Sequence, residues 1–126
     1  TSKSNINWDV IQFYESALHE AIKESSGAQN DEITWDIVLA AGTWSIELIH
    51  SKDTAKGIFS IQFDSVEKGT IDAYASSTSY INRSSATGIA VPTTKKIELK
   101  LKMTTKNAAS SEYYGSLSGV RLMRTA

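Results

Sequence analysis

Between Glu32 and Asp64 apolar and polar residues alternate with period two, and no other feature limits the fold of this chain so strongly. In Glu32 to Leu39, the residues Ile33, Trp35, Ile37 and Leu39 fall on one side, with Glu32, Thr34 and Asp36 on the other. Successive side chains of an extended strand point to opposite faces, so the pattern specifies a half-buried strand. Ala40, Ala41 and Gly42 supply a short turn, after which Trp44, Ile46, Leu48 and His50 share a face opposite Thr43, Ser45, Glu47 and Ile49. A hairpin is the simplest reading of that pair. From Gly57 the pattern resumes with Phe59, Ile61 and Phe63 inward, and Asp64 to Gly69 reads as the next connection.

The rest of the chain continues in short extended pieces. Gly69 to Tyr74 is a brief strand with Ile71 inward, and the Ser-rich stretch Ala75 to Ser79 is a loop. Ile89 to Val91 begins another strand, which Pro92 ends because proline has no backbone donor. Ile97, Leu99, Leu101 and Met103 alternate with Lys96, Glu98, Lys100 and Lys102, a strand with one buried and one wet face. Asn107 to Ser111 is a polar loop, and Tyr114 to Met123 a closing strand in which Gly115 and Gly119 mark bulges. Residues 1–29 are less regular: Trp8 to Tyr14 reads as strand, and Ser16 to Glu24 as strand or short helix, assigned here as strand.

Seven or more short strands must cover their apolar faces against a second layer. The expected fold is therefore all-β, a two-sheet antiparallel β-sandwich of jelly-roll-like character, with a closed barrel as the alternative. Residues 1–126 form one domain in this reading, with 1–29 packed on the sandwich. A length of 126 residues supports one core, and 40% apolar with 21% charged residues is the composition of a folded chain. The chain opens on Thr1, and we expect it to be the terminal fragment of a longer polypeptide.

Several function classes lose their support at this point. A net charge of -1 supplies no broad attraction for nucleic acid, and no apolar run approaches the roughly 18–20 residues needed to cross a bilayer. There is no cysteine for disulfide or thiol chemistry. The two histidines, His19 and His50, lack zinc-ligand spacing, and His50 lies on an apolar strand face, where a packed histidine is favoured over a catalytic base. Neither a G-x-S-x-G elbow nor a phosphate loop occurs. Asp31, Glu32 and Asp36 could pair as acid and base, but Glu32 and Asp36 fit the wet face of a strand better. Asp64, Glu67 and Asp72 carry oxygens of the kind calcium takes, without a defined loop motif; no cofactor is expected, and structural calcium stays open. Asn82, Arg83 and Ser84 satisfy the glycosylation pattern, which we read as chance. No enzyme activity is expected.

What remains is a set of tyrosines. Tyr74, Tyr80, Tyr113 and Tyr114 flank expected loops, where rings can stack on sugar faces while hydroxyls hydrogen-bond. The other reading is core or sheet-surface tyrosine.

The stretch from Asn30 to Phe63, with AAGTW at Ala40 to Trp44, resembles the core of β-sandwich carbohydrate-binding modules found beside glycoside hydrolases. The later order VEKGTIDAY (Val66 to Tyr74), KKIELKLKM (Lys95 to Met103) and GSLSGVRLMRTA (Gly115 to Ala126) is similar too. The region from Gly88 onward resembles C-terminal parts of bacteriophage virion proteins, including tail-fibre and head-fibre components. These resemblances imply a non-enzymatic virion appendage domain on the particle surface. It would attach to host cell-surface glycans, using Tyr74, Tyr80, Tyr113 and Tyr114 as candidate ligand-binding residues. Its partners would be glycan and other virion subunits, in a homo-oligomer with a trimer favoured, without nucleic acid or membrane insertion. The alternatives are a purely structural decoration or fibre-assembly domain, and a carbohydrate-binding module cut from a glycoside hydrolase.

Overall fold

In a computed structural model, residues 29–30 and 32–126 are described in full and residues 2–3, 8–9 and 22–24 by their backbone pairing. Ten strands follow one another: β1 (Ser2–Lys3), β2 (Trp8–Asp9), β3 (Ile22–Glu24), β4 (Glu32–Leu39), β5 (Gly42–Lys52), β6 (Ile58–Phe63), β7 (Val66–Asp72), β8 (Ser79–Val91), β9 (Lys95–Thr105) and β10 (Gly115–Arg124). They form two antiparallel five-stranded sheets, in the orders β1-β4-β9-β6-β7 and β2-β3-β10-β5-β8. The two-sheet sandwich read from the sequence is the fold. The expected strands at 8–14 and 16–24 coincide with β2 and β3 where these are described, and otherwise lie outside the described residues. Among the described residues no helix is long and apolar enough to cross a membrane.

The alternating residues meet between the sheets as the pattern requires. Ile33, Phe59, Ile61, Leu99, Leu101 and Met103 of the first sheet pack against Ile46, Leu48, Ile89 and Leu117 of the second, all 3% exposed or less. Burying each such side chain contributes about 1.5–3 kcal/mol, which is why the alternation determines the fold. On the wet face of the first sheet Glu32 lies between Lys100 (3.6 Å) and Lys102 (3.9 Å), and Asp36 faces Lys96 (3.6 Å). These two carboxylates are surface residues of a charged ladder; Asp31 lies outside the described residues.

Three expectations need correction. The turn at Ala40–Gly42 does not make a hairpin: β4 pairs with β1 and β9, whereas β5 pairs with β8 and β10 in the other sheet. Alternation says which face is apolar, not which sheet a strand joins. Gly42 belongs to this crossing for steric reasons, since a Cβ there would lie 2.6 Å from the Ala126 carbonyl oxygen and 2.5 Å from Arg124 Nε. Second, the connection expected over 64–69 is only the turn Asp64–Ser65, because β7 already begins at Val66. Third, the strand expected at Ile89 begins ten residues earlier, at Ser79.

Candidate functional site

Between consecutive strands the chain changes sheet at most connections, and among the described residues the long connections gather at one end of the sandwich. Residues 53–57 follow β5, residues 73–78 follow β7 and residues 106–114 follow β9. Each is started by an Asx turn, in which a side-chain oxygen accepts the N–H two residues on: Asp53 from Ala55 (2.8 Å), Asp72 from Tyr74 (2.9 Å) and Asn107 from Ala109 (3.0 Å).

The three loops are then tied to one another. The N–H groups of Ser111 and Tyr114 donate to the carbonyls of Thr54 (3.0 Å) and Ala55 (3.1 Å), Ala75 N–H donates to Asp53 (3.1 Å), and Asn107 Nδ2 donates to Asp72 Oδ2 (3.1 Å). Ser110 is 4% exposed, and its hydroxyl lies 2.7 Å from the Lys56 carbonyl and 3.0 Å from that of Glu112. Beneath them the Lys56 ammonium is buried, donating to Ser116 Oγ at 2.7 Å with Asp53 Oδ2 at 3.5 Å. Burying an ammonium costs several kcal/mol unless it is paired and hydrogen-bonded, so this contact set is a requirement of the site.

All four tyrosines lie at this end, in different roles. Tyr74 is half-buried and bridges to Asp53, and Tyr114 is half-buried and bridges to Lys56, three residues along the same loop. Tyr113 packs against the core, with Lys106 Nζ 5.5 Å from its ring centroid. Its ring is therefore spent on packing and a cation–π contact. Tyr80 is the second residue of β8, next to Ser79, which pairs with Lys52 where β5 enters the first loop. The backbones of Tyr74 and Tyr114 are thus both tied to the connection at 53–57, and Tyr80 lies at the start of β8 at the same end. Tyr113 serves as support.

Sequence reasoning missed Lys56, Ser110 and the Asx turns. The turns had a signal, an Asp or Asn at each strand exit. The buried lysine had none, because Lys56 sits in the polar run SKDTAK.

His50 is a structural residue. It is fully buried, edge-on to Phe59 at 6.2 Å between centroids. Nδ1 lies 3.1 Å from the Ser51 carbonyl, which can only accept, so the ring proton is on Nδ1 and Nε2 accepts from the Ser84 hydroxyl at 2.9 Å. Burial pushes its pKa below the usual histidine value, opposed by the Ser51 bond and reinforced by the charges of Lys52 and Lys56. Asn82 donates to the carbonyls of His50 (3.2 Å) and Ser79 (3.1 Å), so the amide of the glycosylation pattern is engaged within the fold.

The carboxylates considered for calcium do not converge. Asp64 is at the opposite end, where it accepts the Glu98 N–H; Glu67 accepts from Ser60 Oγ; Asp72 serves the loops. Among the described residues no three His, Cys, Asp or Glu side chains are placed to hold a metal ion. A larger recess of about 360 Å³ opens between Trp35 and Ile37 of β4 and Val120 and Leu122 of β10, away from the tyrosines. Its described lining is apolar.

No protein family and no curated protein matches the sequence. Solved structures do match in shape. A Paenibacillus xanthan lyase superposes with TM-score 0.79 at 17% identity, over 98% of this chain and 12% of the lyase. The CBM36-1 domain of a multidomain xylanase from the hindgut metagenome of Trinervitermes trinervoides gives TM-score 0.75 at 14% identity, over 99% of this chain and 91% of that one. A carbohydrate-binding module CBM36 in complex with calcium and xylotriose gives 0.66 at 14%, over 97% and 92%. The chain has the fold of these carbohydrate-binding modules. It spans about an eighth of the lyase and nearly the whole of each module.

Proposed function

We propose that this chain is a non-catalytic glycan-binding module whose sugar surface is the loop end, with Tyr74 and Tyr114 as the stacking rings and Tyr80 at the edge of the platform. The observation that carries this reading is the tethering of three long loops into one surface bearing these rings, in a fold shared with modules described as bound to xylotriose and galactotriose. The mechanism is adhesion. An aromatic face covers the C–H face of a sugar ring, while loop carbonyls and hydroxyls bond its rim. The rings and polar groups of the loops are the contacts on which this reading rests, and a structural calcium is compatible with it, since one module of this fold is described in complex with calcium and xylotriose.

One such site binds weakly, and repetition raises avidity through effective concentration. The carrier could be a virion appendage, as the resemblance of the region from Gly88 onward implies, or a longer polysaccharide-degrading enzyme. The shape likeness to modules of xylanases and to part of a xanthan lyase supports the second setting at least as well. A glycan array probed with a multimerised form, followed by calorimetry on the best oligosaccharide, tests the reading. Tyr114→Ala and Tyr74→Ala should each weaken binding about tenfold with little change in Tm, whereas Tyr113→Ala should chiefly lower Tm. A blank array, or full affinity in the double variant, would refute it.

A further inference from the structure

The end of the sandwich remote from the long loops holds a recess of its own, about 250 Å³, between the β6–β7 turn of one sheet and the β8–β9 connection of the other. Its floor is apolar: Phe63 and Ile97 are 4% and 1% exposed. Val66 and Pro92 form its upper walls, and Val66 is 56% exposed, an apolar side chain left facing water at the lip. The volume is below the roughly 300–1,000 Å³ of pockets that take drug-sized molecules, and suits a single ring.

The charges in this recess are unequal. Asp64 accepts the Glu98 N–H at 2.9 Å and faces Lys95 Nζ at 3.4 Å, and the backbone bond first, with Lys95 second, holds its carboxyl below the usual carboxylate range. Asp64 and Lys95 therefore answer each other. Lys68 also lines the recess and forms no ion pair among the described residues. The adjacent carboxylate, Glu67, is turned to Ser60 Oγ at 2.6 Å. An apolar floor with an ammonium at its rim that is unpaired among the described residues is complementary to a flat apolar body that carries one negative charge.

We propose that this recess is a second ligand site, independent of the tyrosine surface, which takes a six-membered ring bearing a carboxylate, the ring against Val66 and Pro92 and the carboxylate on Lys68. That chemistry is shared by an acidic sugar unit and an aromatic acid. Amide NMR of the labelled chain titrated with glucuronate, benzoate and glucose separates them. Saturable shifts confined to residues 63–68 and 90–97 are expected with at least one anion in the millimolar range, and none with glucose; the anion that saturates names the source. Lys68→Gln should weaken that binding at least fivefold without altering glycan binding at the loops. Absence of saturable shifts at these residues, equal shifts with glucose, or an unchanged midpoint in Lys68→Gln would overturn the proposal. Shifts confined to residues 53–57, 73–78 and 106–114 would overturn it while leaving the tyrosine surface standing.

Discussion

The two ends of the sandwich are built on different principles. Among the described connections, those at one end have two or three residues, at 40–41, 64–65 and 92–94; at the other, the connections at 53–57, 73–78 and 106–114 are longer and bonded to one another. A two-residue connection can hardly vary without moving the strands it joins. A longer loop is free to change its side chains, provided its backbone groups find partners. Here the partners are found within the loop cluster, through Asx turns, Ser110 and the buried Lys56. The short end thus fixes strand order, and the long end can present a surface without disturbing it.

The sharpest way to break this division is to remove the support of the long end. Lys56→Ala leaves Ser116 Oγ without its donor and Asp53 without its cation beneath three loops. Loss of one partner from a buried charged set costs about 3 kcal/mol. Denaturant unfolding should show that loss, and glycan affinity should fall with it. If the variant is as stable as the parent, the lysine is not the anchor of the loops.

The same division explains how much could be read from the sequence. Strands β4, β5, β6 and β9 were legible because each repeats apolar residues at every second position on its buried face. The first part of β8 was not, because its interior positions are polar: Asn82 and Ser84 face the backbone and ring of His50 in place of aliphatic neighbours. A buried polar network satisfies its own members and erases the alternation that would announce it. The crossing at Ala40–Gly42 was hidden for another reason, since a turn signal reports a reversal and not its partner. Of the candidate site, the four tyrosines were found at one end. The supporting role of Tyr113 and the placement of Tyr74 depend on contacts between loops far apart in sequence, such as Lys106 with Tyr113 and the backbone of Asp53 with that of Tyr74.

Acid should separate the ends by pH window. The depressed pKa of His50 means that the unfolded chain takes up its proton first, near the ordinary value of about 6.5. Below that pH the unfolded state binds more protons than the native one, so stability falls with decreasing pH until the folded value is reached. Asp64 is also depressed, but as an acid it contributes stability above its ordinary value of about 3.9, lost as pH falls through the lower folded value. Unfolding midpoints measured from pH 7 to pH 5 should therefore decline in the parent and decline less in His50→Gln. The Asp64→Asn variant should lie below the parent by a constant offset across that range, with the same slope, and approach it only below about pH 4. Equal slopes for parent and His50→Gln would show that the buried histidine does not govern the mild-acid response.

The smallest effect concerns the short end and has the opposite sign. Asp64 and Ser65 have φ of 50° and 66°, so the turn between β6 and β7 places two residues with side chains in left-handed backbone, the pattern of a type I′ turn. Asp tolerates this region and here is held by reciprocal bonding with Glu98, its N–H donating to the Glu98 carbonyl and its carboxylate accepting the Glu98 N–H, both at 2.9 Å. Among the described residues the Ser65 side chain has a single long contact, from Lys100 Nζ at 3.4 Å. Glycine at that position removes a steric cost of roughly 1–2 kcal/mol and adds an unfolded-state entropy cost of roughly 0.5–1 kcal/mol. Ser65→Gly should therefore raise stability by about 0.5–1 kcal/mol, with glycan binding unchanged. A fall in stability would mean that the Ser65 side chain holds the turn. A change in glycan affinity would mean that the two ends are coupled through the strands, and that strand order and binding surface are not separable in this fold.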